Sequence, residues 1–198
     1  MPYLEALNQL WFLQINATPA SPDWLILLAS FIAQRLLPLL PLWLAALWLW
    51  GRPALRDTAL KSCLFTLAAL AGNGLIGMIW PHPRPFAVPL GHVFLTHDAT
   101  PSFPSNHGTI FAMMALTWWF SAARGWGAAL AAAGIAVAWS RVYLGVHWPL
   151  DMVGAVLAAA AWFWLLSKLW ARCSPTALAE RCYRGAFAKP IALGWVRY

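Results

Sequence analysis

The chain has 198 residues, 62% of them hydrophobic and only 10% charged, against about 25% charged in ordinary soluble domains. That balance excludes a soluble globular enzyme and points to an integral membrane protein of one domain. A net charge of +7 does not make it a nucleic-acid binder, because the basic residues are dispersed over the ends of apolar runs and form no single patch.

Residues 3–15 repeat Leu4, Leu7, Trp11 and Ile15 at helical spacing. The segment is too short and too polar, with Glu5, Asn8 and Gln9, to cross a bilayer, so an interfacial helix is expected. No cleavable signal peptide is evident here, and the first span is expected to act as its own insertion signal. Residues 16–23 hold Pro19 and Pro22 and read as a turn, with Asp23 as the N-cap of the first long apolar run.

Trp24 to Trp50 is the first predicted span, with Pro38 and Pro41 implying a kink. It carries Gln34 and Arg35, and an arginine there either faces a protein cavity or snorkels to an interface. A basic connection, 51–61, leads to a second span ending near Trp80, whose Gly72, Gly74 and Gly77 allow close helix contact. A loop rich in proline and histidine fills 81–104. The third span runs from about Ser105 to Ala122, the fourth from Trp126 to about Tyr143, and the fifth opens at Trp148-Pro149 and ends near Trp170. Trp11, Trp24, Trp80 and Trp148 suit interfacial belts, while Trp43 and Trp162 fall inside runs and pack against helices or lipid. Cys63, Cys173 and Cys182 suggest no disulfide framework.

Placing the 51–61 connection, the Arg124 turn and the tail with Lys168 on the cytoplasmic side puts ten of the thirteen basic residues there, all but Arg35, Arg84 and Arg141. That satisfies the positive-inside rule. It also brings the 81–104 loop and the 140–151 stretch together on the outer face.

Three stretches then converge. Residues 81–86 read P-H-P-R-P-F, 104–108 read P-S-N-H-G, and 140–151 read S-R-V-Y-L-G-V-H-W-P-L-D. Guanidinium groups at Arg84 and Arg141 match phosphate geometry. An imidazole at His147 can act as base or nucleophile near neutral pH, and Asp151 can fix its tautomer. Ser105 stands at a helix start, where free N–H groups and the dipole attract anions, and His107 is one turn in. Taken singly, Ser105 can be a plain cap and His107 a structural residue; together the residues read as a phosphoryl-transfer kit. The five histidines show none of the usual metal-ligand spacings, so no metal and no cofactor is expected.

This pattern resembles the type 2 phosphatidic acid phosphatase superfamily, whose motifs are K-x6-R-P, P-S-G-H and S-R-x5-H-x3-D. The resemblance spans about residues 24–170. The third motif is complete here; Gly77 stands where the first has lysine, and Asn106 where the second has glycine. The wording around the motifs, with the N-terminal L-x-F-L-Q-I-N-A-T-P, is most like bacterial undecaprenyl diphosphate phosphatases of the bacitracin-resistance type.

The apolar runs read as an all-α polytopic membrane helix bundle of about five transmembrane helices plus the N-terminal interfacial helix. The chain divides into an interfacial segment 1–22, a membrane phosphatase domain 23–170 and a basic cytoplasmic tail 171–198. The resemblance implies removal of the terminal phosphate of a polyprenyl diphosphate lipid, at the periplasmic or extracellular face of a bacterial inner membrane, in recycling the carrier lipid for cell-wall synthesis. In the implied mechanism His147 attacks phosphorus, Asp151 supports it and His107 is the general acid and base. Arg84, Arg141, Ser105, Asn106 and Gly108 bind phosphate. The departure at Gly77 removes one phosphate-facing charge, and Arg35 or His82 is expected to compensate for it. Rival readings are a phosphatase for phosphatidate, phosphatidylglycerol phosphate, sphingolipid phosphates or lipid A, a lipid phosphotransferase, and a non-catalytic lipid-binding or transport protein. The sequence leaves the oligomeric state open.

Overall fold

The computed structural model describes residues 2–197; Met1 and Tyr198, the outermost residues of the 1–22 and 171–198 segments, lie outside the described residues. The described chain is all-helical, in the order α1 (Pro2–Ile15), α2 (Asp23–Trp50), α3 (Pro53–Ile79), α4 (Asn106–Trp119), α5 (Arg124–Tyr143), α6 (Pro149–Trp170), α7 (Thr176–Ala186) and α8 (Ala188–Ala192). Three of these helices, α2, α3 and α6, are long and apolar enough to cross a membrane. The protein is a multi-pass membrane helix bundle.

α4 is the hub. At 14 residues it is about 21 Å long, shorter than a bilayer core, and its most extensive packing is against α5, α6 and α3. Phe111, Met114 and Trp118 on α4 join Leu40 of α2, Ala59 of α3 and Leu130 and Val137 of α5 in one cluster. Met113 packs with Phe65 and Ala69 of α3 and Ala159 of α6 in another. Small residues set the spacing: a Cβ on Gly72 would lie 2.5 Å from Trp162 Nε1, and one on Gly134 would lie 3.0 Å from Phe111 Cβ.

Several local expectations shift. α3 begins at Pro53, so most of the 51–61 stretch is helix and the connection is two residues long; proline suits a first helical position. Asp23 lies in the first turn of α2, and the cap position is Pro22, which offers no side-chain bond. α4 stops at Trp119, short of Ala122. Trp148 is no belt residue: it is 1% exposed, its ring centroid lies 5.0 Å from that of Phe12, and its indole N–H donates to the Pro83 carbonyl.

α1 is more than a surface helix. Leu4, Leu10, Trp11 and Leu13 remain exposed, which suits an interface, but Asn8 and Phe12 are buried. Asn8 Oδ1 accepts the backbone N–H of Leu150 at 3.0 Å, in the first turn of α6, satisfying one of the donors that every helix start leaves free. Just beyond α1, Asn16 ties three segments together. Its Nδ2 donates to the carbonyls of His92 (2.9 Å) and Tyr143 (3.0 Å), and its Oδ1 accepts from the His92 N–H (2.7 Å). The turn before α2, the 81–104 loop and the end of α5 are thereby locked to one another.

The opposite end is closed by the tail. Arg56 on α3 is 1% exposed; its guanidinium donates to the Arg197 carbonyl and lies over the Tyr183 ring. Burial makes it a docking point for the tail.

Asn16→Ala removes both bonds to the backbone of His92 and one of the two bonds to the buried Tyr143 carbonyl, which keeps the Ala17 N–H. It is expected to destabilise the detergent-purified protein by about 1–3 kcal/mol, read as a lower thermal-unfolding midpoint, whereas truncation of the exposed Leu27 to alanine should shift it little. An unchanged midpoint for Asn16→Ala would mean that the clamp contributes nothing to stability.

Candidate active site

The α5–α6 junction creates the site. Asp151 lies in the first turn of α6, where a carboxylate is favoured by the helix dipole. Its Oδ2 accepts the Trp148 backbone N–H at 2.8 Å, the His147 Nδ1–H at 3.0 Å and the hydroxyl of Ser102. His147 and Asp151 are 2% and 1% exposed, so each bond removes a desolvation penalty that an unpaired group would carry. With Nδ1 protonated toward Asp151, Nε2 presents its lone pair. Burial pulls the His147 imidazole down to about 4, against the upward pull of Asp151.

Gly145 makes the junction possible. It has φ +81°, and a Cβ there would sit 2.1 Å from the His92 carbonyl oxygen, so the left-handed turn and the overlying loop both require glycine.

Arg84 and Ser105 face the free nitrogen. Arg84 Nη1 donates to His147 Nε2 at 3.0 Å and to the Val146 carbonyl at 2.9 Å. Its other nitrogens are held by Thr100 and by the Pro101 carbonyl. Ser105 caps α4, accepting the Gly108 N–H at 3.3 Å, and its Oγ lies 3.4 Å from His147 Nε2. The Ser105 backbone N–H donates to the Asp151 carbonyl, so the start of α4 is joined to the start of α6. Arg141 is 2% exposed, yet its Nε and Nη2 have no partner among the described residues. Unsatisfied buried guanidinium nitrogens mark where an anion is wanted. His107, half-buried in the first turn of α4, is within electrostatic range of Arg141, His147, His97 and Arg84.

Other residues singled out from the sequence are placed differently. The side-chain oxygen of Asn106 is committed to Asn73 Nδ2 at 3.0 Å. Gly108 is a contact point, where a Cβ would lie 2.9 Å from that of Ala155. Arg35 is exposed on α2 and joins none of these bonds. His82 turns its Nε2 to Glu5 of α1, 3.3 Å away, and its carbonyl accepts the Ser102 N–H. A Cβ at Gly77 would lie 3.2 Å from Pro101 Cβ, so the loop that grips Arg84 sits close against the position where the resembling motif has lysine. Sequence reasoning missed Ser102 and Thr100, which look like ordinary loop hydroxyls, and the structural bonds of Asn8 and Asn16. Among the described residues no group of three or more His, Cys, Asp or Glu side chains could hold a metal ion.

An apolar groove of about 540 Å³ runs from Gly108 and Met152, beside the site, along α4, α5 and α6 to Trp119 and Phe120. Ile135, Val156 and Phe120 on its walls are 72%, 54% and 66% exposed, so it opens on the flank of the bundle.

Fold and site together define a membrane-embedded helix bundle with a buried histidine, held between Asp151, Arg84 and Ser105, at one end. The chain belongs to the PAP2 superfamily, whose family model matches residues 58–175. It is 43% identical to the putative undecaprenyl-diphosphatase YbjG of Escherichia coli (strain K12), over 98% of this chain and 99% of that protein. It is 32% identical to the undecaprenyl-diphosphatase BcrC of Bacillus subtilis (strain 168), over 65% and 66% of the two chains. Among solved structures it is similar to the PAP2 type phosphatidylglycerolphosphate phosphatase from Bacillus subtilis, with a TM-score of 0.65 and 18% identity, covering 88% of this chain and 89% of that one.

Because the folded imidazole binds its proton well below the ordinary value of about 6.5, the protein without substrate should keep His147 neutral between pH 8 and pH 5. Its ¹⁵N shifts should report the Nδ1–H tautomer throughout that range. A doubly protonated ring at pH 6 would contradict this arrangement of the site.

Proposed function

We propose that the protein is an undecaprenyl-diphosphate phosphatase that works through a phosphohistidine. The observation that carries this reading is His147 itself: a buried imidazole with one nitrogen held by Asp151 and the other facing Arg84 and Ser105, at the head of an apolar groove. The relatives named undecaprenyl-diphosphatase support the substrate assignment.

His147 Nε2 attacks the terminal phosphorus and forms the P–N bond as the bond to the bridging oxygen breaks. Arg84 Nη1 gives up its bond to Nε2 and turns to the phosphoryl oxygens. The free nitrogens of Arg141, the Ser105 hydroxyl and the amides at the start of α4 neutralise the remaining equatorial charge. Asp151 stabilises the positive imidazole. His107 gives its proton to the bridging oxygen of the departing undecaprenyl phosphate. It then takes one from the water that hydrolyses the phosphohistidine and returns inorganic phosphate.

The groove suits a polyprenyl tail, being apolar and reachable from the lipid. The charge distribution supports an orientation in which the site faces the outside of the bacterial inner membrane, with the ten basic residues of the other end in the cytoplasm. The lipid would therefore be dephosphorylated on the periplasmic or extracellular side, in recycling of the cell-wall carrier lipid.

Phosphate release by the purified protein in chelator-treated buffer tests this. Undecaprenyl diphosphate should be preferred over phosphatidate and lipid A, and His147→Ala should reduce turnover by roughly a thousandfold or more. Release from a different lipid only would move the substrate assignment, and consumption of undecaprenyl diphosphate only when an acceptor lipid is added, with the phosphoryl group appearing on that lipid and not in solution, would indicate a transferase. Ala131 of α5 lines the groove, and filling it with Ala131→Trp should raise KM for undecaprenyl diphosphate about tenfold while leaving farnesyl diphosphate nearly unaffected. Equal effects on the two substrates would place the tail elsewhere.

A further inference from the structure

The outer loop carries a third imidazole to the site, and the phosphohistidine mechanism does not use it. Between the exposed Thr96 and the exposed stretch 98–100, His97 is half-buried. Its ring centroid lies 6.2 Å from that of His147, with the planes at 77°. Its Nδ1–H donates to the Asp98 carbonyl at 2.9 Å, so Nε2 carries the lone pair and has no partner among the described residues. Arg84, Arg141 and Asp98 are within its electrostatic range, as is His107.

The charge balance of the site gives this group a task. Arg84 has its guanidinium engaged by Thr100, Pro101, Val146 and His147, and Arg141 has two free nitrogens. A diphosphate ester brings two phosphoryl groups, and only one of them is transferred. Gly77 adds no cation, and Arg35 and His82 face elsewhere, outward from α2 and toward Glu5.

We propose that His97 is a substrate-binding residue whose Nε2 takes up a proton as the diphosphate docks and then donates to its oxygens. This rests on the diphosphate reading of the substrate. Before the substrate arrives, burial, followed by the two guanidiniums, holds the His97 ring below the ordinary imidazole value, so the ring is neutral at pH 7. The incoming anion reverses that balance. The facing groups are Asp98 and Arg84 on its own loop, His107 on α4, Arg141 on α5 and His147 at the α5–α6 junction. Among them, the approach of the phosphate favours the charged form of His97.

The test compares wild type, His97→Gln and His97→Lys between pH 6 and pH 9 on undecaprenyl diphosphate, with thermal midpoints to check folding. His97→Gln should raise KM about tenfold or more at pH 6.5 with kcat within about threefold. The wild-type KM should climb with pH as the bound imidazole loses its proton, and the lysine variant should flatten that climb. A glutamine variant within twofold of wild-type KM at every pH would overturn the proposal. If wild type releases no phosphate from the lipid, the substrate reading has failed separately. Calorimetry with inorganic diphosphate, in buffers of different ionisation enthalpy, then decides. Weaker binding and less proton uptake by His97→Gln than by wild type would support the role of His97, and equal affinity and proton uptake would overturn it.

Discussion

One carboxylate oxygen holds the site together. Asp151 Oδ2 receives the His147 ring, the Trp148 amide and the Ser102 hydroxyl, and these come from the α5–α6 junction, the start of α6 and the 81–104 loop. A carboxylate this deeply buried is tolerated only with its lone pairs filled. The requirement therefore works in both directions: the donors stabilise the charge, and the charge recruits the donors into one geometry. The orientation of the imidazole, and with it the direction of Nε2, is set by that arrangement.

The surrounding helices keep the oxygen where it is. α4 starts beside it through Ser105, α1 braces the first turn of α6 through Asn8, and Asn16 anchors the 81–104 loop to the end of α5. None of these bonds lies in the middle of the bundle. They form a polar layer at one end, while the body beneath is held by aromatic and aliphatic packing around α4. Such a division suits a membrane protein, because hydrocarbon cannot compete for hydrogen bonds in the core, whereas the headgroup region would compete for any that were left exposed.

The helical architecture and the gathering of Arg84, Ser105, His147 and Asp151 around one ring are readable from the sequence, because hydrophobic runs, prolines and three short motifs report them directly. The partners beyond the motifs are not readable. Ser102 and Thr100 differ from any loop hydroxyl only by where the loop places them, and Asn8 looks like a polar interruption until the Leu150 N–H of α6 is seen to need an acceptor there. At the motif position Asn106, the side-chain oxygen accepts from Asn73 on α3, thirty-three residues away. Arg56 likewise reads as a topology signal, although the returning tail covers it. In each case the deciding contact is long-range, and spacing along the chain carries no information about it.

The brace between Asn8 and Leu150 has a consequence for biogenesis. The two residues are 142 apart, so α1 leaves the ribosome long before the helix it supports exists. A chain whose last span has not yet been inserted has neither His147 in its final setting nor a docking place for Asn8 and Phe12. The pocket around His147 is thus one of the last features of the fold to be assembled.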